Sequence, residues 1–196
     1  MPRYSGSIGI GDVLVTREGP WWASAAIRFG AKLRRRPDFC NHAIVVHHRD
    51  EAGTLWGVEG RPGGVGWRDL SGPVTWPLTN ANNTQPKTDD QRAQLAEIMV
   101  EMLGRPYDWR GIAEDTRQAL HLVWGRSLAL EWAEGEIPGQ VVCSSLADFA
   151  YEKVGLQNPG GGKITRATTP GDWDAWMIEH DWQGFSPPAA QWSGGA

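Results

Sequence analysis

The sequence predicts one α+β domain in which an antiparallel β-meander or barrel packs against helices. The first half of the chain contains short β-branched runs separated by Gly and charged residues, a pattern typical of strands. From residue 88 onward, apolar residues recur at helical spacing. A chain of 196 residues is also long enough to bury a core without disulfides or a metal.

Composition excludes several classes of protein. The chain has 19 Lys and Arg against 23 Asp and Glu, and its net charge of −4 argues against a nucleic-acid partner. Two Cys are too few for a disulfide framework. No apolar run approaches the roughly 18 residues of a transmembrane segment, and the N-terminal residues lack the apolar core of a signal peptide. We expect cytoplasmic synthesis, with association with a phage virion or export by another route as open alternatives.

The predicted strands cover residues 11–16, 41–48, 54–59, 65–70 and 74–76. A helix over residues 21–36, which Pro37 ends, separates the first two strands. The second and third strands form an antiparallel hairpin around the polar turn 49–53. The remaining strands continue the same meander.

The predicted helices of the second half cover residues 88–104, 111–132, 143–154 and a short segment from residue 169. The first begins with a capping box formed by Thr88 and Gln91. Gly155 follows the third helix as its C′ residue, and Pro170 occupies the first position of the last one.

These elements predict a single domain over residues 1–185 and a flexible tail over residues 186–196. The helical stretch at about residues 110–139 is long for a connection within such a domain. We interpret it as an insertion that forms a lid or a surface for an assembly partner.

Cys143 is the most informative position for chemistry. It lies where a Gln-Val-Val stretch turns into a helix, near backbone N–H groups and the positive end of the helix dipole. That setting favours a thiolate, which is the nucleophilic form of cysteine. The alternative is a small buried hydrophobic residue, the usual role of a free Cys.

His42 and Glu59 have the residue types that would assist such a thiol. His42 opens a strand and is either a core histidine or a general base held on a rigid element. Counting across the hairpin places Glu59 near the level of His42, where its carboxylate would orient the imidazole. The alternative for Glu59 is a solvated carboxylate at an edge or turn. The three residues together match the nucleophile, base and orienting group of a thiol hydrolase.

Six short motifs occur in an order that resembles the NlpC/P60 papain-like superfamily, in its circularly permuted (YiiX/YebB-like) branch. They are Gly11-Asp-Val-Leu-Val, Asn41-His42-Ala43, Val58-Glu59, Gly104-Arg-Pro-Tyr107-Asp108, Val142-Cys143-Ser144-Ser145-Leu146 and Thr169-Pro170-Gly-Asp172. Together they extend from residue 11 to about residue 173. In the permuted branch the His and the third polar residue precede the Cys, as they do in this chain.

The resemblance implies a papain-like fold and a cysteine peptidase or amidase that reacts through a thioester. Cys143 is then the nucleophile, His42 the general base and Glu59 the orienting residue. The substrate it implies is an amide bond in a cell-wall peptide, as for a peptidoglycan endopeptidase. Val142 departs from the Tyr or Asp that relatives often carry before the Cys, which leaves the backbone N–H of Cys143 as the safest oxyanion donor.

Neither a metal nor a cofactor is predicted. His47 and His48 are adjacent on a strand, where neighbouring side chains point to opposite faces, and no Cys-x-x-Cys or His-Glu-x-x-His spacing occurs. The chain contains 12 Trp, most of which we expect in the core. The candidate residues for binding a peptide or acyl substrate in a cleft are those closest to the site motifs: Trp56, Trp67, Tyr107 and Trp109.

Two alternatives to a cell-wall hydrolase stay open. The first keeps the fold and changes the substrate to a lipid ester or fatty amide, for a hydrolase or an acyltransferase. The second is a non-catalytic binding or structural module, for example in a phage particle. An unreactive Cys143, or a His42 too far away to hydrogen-bond with it, would favour the second.

Overall fold

A computed structural model describes residues 4–5, 8–16, 40–70, 79–82, 87–108, 142–160 and 168–180. Several sequence predictions lie outside these ranges: the helices over residues 21–36 and 111–132, the strand 74–76, the insertion at about 110–139 and the tail 186–196.

Six strands form one sheet. They are β1 (Tyr4–Ser5), β2 (Val13–Thr16), β3 (His42–Arg49), β4 (Leu55–Arg61), β5 (Gly64–Asp69) and β6 (Thr79–Asn82), in the spatial order β1-β6-β2-β3-β4-β5. Neighbouring strands are antiparallel except β1 and β6, which pair in parallel. The predicted α+β class and the antiparallel meander β3–β4–β5 are confirmed. The sequence analysis missed β1 and β6, because β1 has two residues and the Thr-Asn-Ala-Asn sequence of β6 has no apolar alternation.

The pairing of β3 with β4 contains one irregularity. Val46 pairs with Gly57, but the next pair is His48 with Trp56, so His47 is an extra residue in β3. An extra residue of this kind is a β-bulge, which interrupts the alternation of side chains between the two faces. The period-two prediction for β3 therefore applies from its first residue only as far as Val46.

Three helices start where the sequence predicts. They are α1 (Asp89–Met102), α2 (Cys143–Lys153) and α3 (Pro170–Glu179). Thr88 and Gln91 exchange the two hydrogen bonds of a capping box before α1. Gly155 follows α2 with φ +68°, a left-handed conformation that glycine adopts without strain. None of these helices is long and apolar enough to cross a membrane.

The main core lies between the helices and one face of the sheet. The strands contribute Val13, Val15, Ala43, Val45 and Val58, and the helices contribute Leu95, Met99, Met102, Leu146, Ala147, Ala150, Trp173 and Met177. Helix α2 contacts β3, β4, α1 and α3, which is why its residues are buried continuously from Cys143 to Tyr151. A smaller cluster covers the other face of the sheet and consists of Leu14, Ile44, Val46, Leu55 and Leu70.

A buried polar cluster joins the strands to the helices at one end of the core. Lys87 Nζ donates to Asp12 Oδ1 over 2.8 Å, and the Tyr151 hydroxyl donates to the carbonyl of Gly11 over 2.6 Å. These bonds connect the residues before β2 to the start of α1 and to α2. Buried charges are tolerated in a core only when they are paired in this way.

Met99 and Val100 provide a matched test of the core. Met99 is fully buried in α1, whereas Val100 is 49% exposed. We expect Met99→Ala to lower the free energy of unfolding by about 2–5 kcal/mol, because it leaves a cavity. Val100→Ala should change it by less than about 0.5 kcal/mol. Urea denaturation of both variants checks this, and equal effects would contradict the packing of α1 against the sheet.

Candidate active site

Helix α2 approaches the sheet most closely at the end of β4. A Cβ atom built at Gly60 would lie 3.1 Å from the backbone nitrogen of Cys143 and 3.3 Å from its Cα. A Cβ at this position would push the neighbouring backbone away by a few tenths of an ångström, so Gly60 allows the first residue of α2 to lie close to the end of β4. The sequence analysis did not identify this role, because it depends on a contact between residues distant in the chain.

Serine side chains hold the start of α2 in place. Ser145 Oγ accepts a hydrogen bond from the backbone N–H of Val142 over 3.0 Å and donates to the carbonyl of Val142 over 3.1 Å. Ser144 Oγ donates to the carbonyl of Thr168 over 2.6 Å, just before α3. Cys143 is thus fixed by bonded neighbours on its C-terminal side.

His42 and Glu59 are in direct contact. The ring Nε2 of His42 lies 2.7 Å from Oε2 of Glu59. Ile44 is the residue directly opposite Glu59. His42 is therefore the diagonal neighbour of Glu59 on the same face, two residues along β3, close to the level that counting across the hairpin predicts. An ionised carboxylate can only accept, so Nε2 donates and Nδ1 is left for another partner.

Cys143 lies close enough to His42 to influence the charge of its ring. Burial alone would lower the pKa of the imidazole, but the negative sulfur of Cys143 and a hydrogen bond with it act in the opposite direction. The hydrogen bond and charge of Glu59 add to this effect, and the pKa of His42 rises from 6.5 to about 10. At neutral pH the imidazole of His42 is therefore protonated and positively charged, next to the sulfur of Cys143.

Glu59 is held ionised by three cations. Burial of the Glu59 carboxylate acts to raise its pKa, but the hydrogen bond and charge of His42, with the charges of Arg68 and Arg61, hold it below the ordinary value. Arg61 Nη1 lies 3.2 Å and Arg68 Nη1 3.8 Å from Glu59 Oε1. The sequence analysis named neither arginine, although the alternation along β4 places Arg61 on the face of Glu59.

Tyr107 lies within electrostatic range of the thiol. The chain before it pairs with β5, since the N–H of Val65 donates to the carbonyl of Arg105 and the N–H of Gly104 donates to that of Val65, each over 2.9 Å. Burial raises the pKa of the Tyr107 hydroxyl, and the negative charges of Cys143 and Asp108 raise it further. Tyr107 is therefore a neutral hydroxyl close to the nucleophile.

The two described tryptophans among the predicted substrate-binding residues pack against the end of β3 next to the turn. Trp56 stacks on the His48 ring with a centroid distance of 6.4 Å, and its Nε1 donates to Asp50 over 3.0 Å. The Trp67 ring contacts His47 and His48, with centroid distances of 4.8 and 5.5 Å. Trp109 lies outside the described residues. A substrate-binding role for these three tryptophans stays a prediction.

The β-bulge changes the relation of the two adjacent histidines. We predicted that His47 and His48 point to opposite faces, but their Nδ1 atoms lie 2.8 Å apart, because the bulge interrupts the alternation. His47 Nε2 donates to the carbonyl of Ala96, and burial and the neighbouring His48 lower the pKa of His47. In the described part of the chain, no group of three or more His, Cys, Asp or Glu side chains is placed to hold a metal ion.

No protein-family model matches the chain, and no curated protein matches it significantly. The resemblance to the permuted NlpC/P60 branch therefore stays a prediction from the motifs, and the chemistry must be argued from the site itself.

The approach of α2 to Gly60 can be tested by filling the space. In Gly60→Ala the new methyl group would lie 3.1 Å from the backbone nitrogen of Cys143, so the start of α2 must shift by a few tenths of an ångström. We expect the alkylation rate of Cys143 by iodoacetamide at pH 7 to fall several-fold. Circular dichroism should show that the fold is retained, and an unchanged alkylation rate in a folded variant would contradict this role for Gly60.

The pKa of His42 depends on Cys143 in a way that titration can measure. Because the sulfur is the largest influence that raises this pKa, Cys143→Ala should move it down from about 10. A group whose pKa is raised on folding stabilises the fold fully below its unfolded pKa, near 6.5, and loses that contribution as the pH rises to about 10. Histidine NMR titration checks the shift, and an identical pKa in the variant would rule out the contact.

Proposed function

We propose that this chain is a cysteine hydrolase that cleaves an amide bond with Cys143, His42 and Glu59. The observation that carries the proposal is the 2.7 Å contact between His42 Nε2 and Glu59 Oε2, with Cys143 close enough to His42 to raise the pKa of its ring.

The chemistry that these groups support has two halves. The Cys143 thiolate attacks the carbonyl carbon of the substrate, and the electrons of the carbonyl double bond move to its oxygen. When the tetrahedral intermediate collapses, the bond to nitrogen breaks and the His42 imidazolium gives its proton to the leaving amine. Water then attacks the resulting thioester while His42 accepts a proton from it. This step releases the acid product and regenerates the thiolate–imidazolium pair.

The backbone N–H of Cys143 is the donor best placed for the oxyanion. As the first residue of α2 it belongs to the turn whose N–H groups have no carbonyl partner within the helix. The positive end of the helix dipole lies at the same point. The neutral hydroxyl of Tyr107, which lies near the sulfur, is a second candidate donor and keeps the substrate-binding role that we predicted for it.

The substrate class in this proposal is a peptide amide of the bacterial cell wall. Support comes from the six ordered motifs that resemble the permuted NlpC/P60 branch, and from a papain-like relation in which a helix beginning with Cys packs on an antiparallel sheet carrying the His. The test measures the turnover of peptidoglycan fragments and of acyl esters by the full chain. Comparison of the two rates distinguishes a peptide substrate from a lipid ester. Faster turnover of the acyl ester would contradict the peptide substrate and would indicate a lipid ester instead.

Substitution of the three residues should produce graded losses of hydrolysis. Cys143→Ala should abolish turnover and labelling by a thiol-directed probe, because no nucleophile remains. His42→Ala should lower kcat by roughly 10²- to 10⁴-fold, as expected for loss of a general acid–base. Glu59→Gln should cost less than His42→Ala, because the imidazole remains but loses its charged partner.

Cys40→Ala is the matched control, since Cys40 is the other cysteine of the chain and is also buried. It should retain both labelling and turnover. Labelling of Cys143→Ala at the rate of the unsubstituted protein would falsify the assignment of the nucleophile.

A further inference from the structure

Two arginines lie beside the carboxylate that orients His42. Arg61 follows Gly60 at the end of β4, and its Nη1 donates to Glu59 Oε1 over 3.2 Å. Arg68, on β5, brings its Nη1 to 3.8 Å from the same oxygen. A single carboxylate therefore separates these guanidinium groups from the imidazole that contacts the nucleophile.

Glu59 has more cationic neighbours than one carboxylate requires. Besides His42, the guanidinium groups of Arg61 and Arg68 lie beside its Oε1. A buried carboxylate needs one good ionic partner and satisfied lone pairs, and His42 already supplies a contact of 2.7 Å.

Arg61 has donors that Glu59 does not use. A guanidinium has five N–H donors, and the hydrogen bond of Arg61 in the described part of the chain goes to Glu59. Half of the Arg61 side chain is exposed, although Glu59 itself is almost fully buried. Gly66 leaves room for the guanidinium, since a Cβ there would lie 3.2 Å from Arg61 Nη2. The Arg61 guanidinium is thus bonded to Glu59 through one N–H group, and the rest of it is accessible to a ligand.

Resting on the proposed function, we infer that Arg61 binds a carboxylate of the substrate close to the scissile carbonyl, with Arg68 adding to the positive field. The planar guanidinium matches a carboxylate and binds it through paired charge-assisted hydrogen bonds. A role in stability alone would not account for the exposure of Arg61, because exposed ion pairs contribute little to stability. The substrate of this site is therefore an acyl compound that carries a negative charge next to the bond that breaks.

Two alkylating reagents of nearly equal size isolate this effect. Iodoacetate carries a carboxylate and iodoacetamide does not, and both transfer the same kind of two-carbon group to a thiolate with loss of iodide. The rate of each at Cys143 is measured by peptide mass spectrometry at pH 7 on the full chain. The ratio of the two rates cancels any change in the thiolate itself, which matters because Arg61 also contacts Glu59.

Arg61→Gln should lower the ratio of the iodoacetate rate to the iodoacetamide rate by roughly 3- to 10-fold, the size expected for one charge-assisted contact. Arg61→Lys should recover part of it, since the charge is kept and the planar fork is lost. Arg49→Gln is the matched control. It removes the same charge at the far end of β3, where Arg49 donates to the carbonyl of Gly53, and should leave the ratio unchanged.

The outcomes distinguish failure of the carboxylate subsite from failure of the proposed function. A ratio that Arg61→Gln does not lower, or that Arg49→Gln lowers equally, overturns the carboxylate subsite while leaving Cys143 as the nucleophile. If Cys143 reacts with neither reagent in the unsubstituted protein, the proposed function fails, and the carboxylate subsite that depends on it fails too.

Discussion

The close approach of α2 to the end of β4 is the constraint on which the candidate site depends. Gly60 lets the start of α2 pack closely on the strand, because a Cβ there would lie 3.1 Å from the backbone nitrogen of Cys143. The serines at the start of α2 hold the same turn from the other side through Val142 and Thr168. The nucleophile is thus placed by the packing of a buried helix on a sheet, and its position does not depend on a loop.

The charges of the site depend on one another. The sulfur of Cys143 keeps the proton on His42, and the imidazolium in turn keeps Glu59 ionised. Each group alone would be driven towards its neutral form by burial, since desolvation penalises charge. The charges of His42 and Glu59 stabilise each other, and Arg61 and Arg68 add to the stabilisation of the Glu59 carboxylate.

Sequence analysis could find the three central residues, because each of them follows from a local rule. A helix start explains Cys143, a strand start explains His42, and counting across a hairpin explains Glu59. What it missed depends on contacts between distant segments. Gly60 matters only because α2 arrives there, and the charges of Arg61 and Arg68 acquire meaning only beside a buried carboxylate.

The tryptophans show a related weakness of arguments from nearness in the chain. Trp56 lies close to Glu59 in sequence, but its ring stacks on His48 at the end of β3 next to the turn. Period-two counting also failed at His47, since nothing in the residues 45–49 marks the extra residue that the structure contains. Short irregularities of this kind are set by the packing of the whole sheet.

The extra residue at His47 has a consequence for how this sheet can change through evolution. A gain or loss of one residue in a regular hairpin rotates every following side chain to the other face, and would take His42 away from Glu59. The bulge divides β3 into two segments with separate pairing registers, one next to the turn and one next to the site. Length differences near the turn can be absorbed at this point, so the hairpin tip is free to diverge while the geometry around Glu59 is inherited intact.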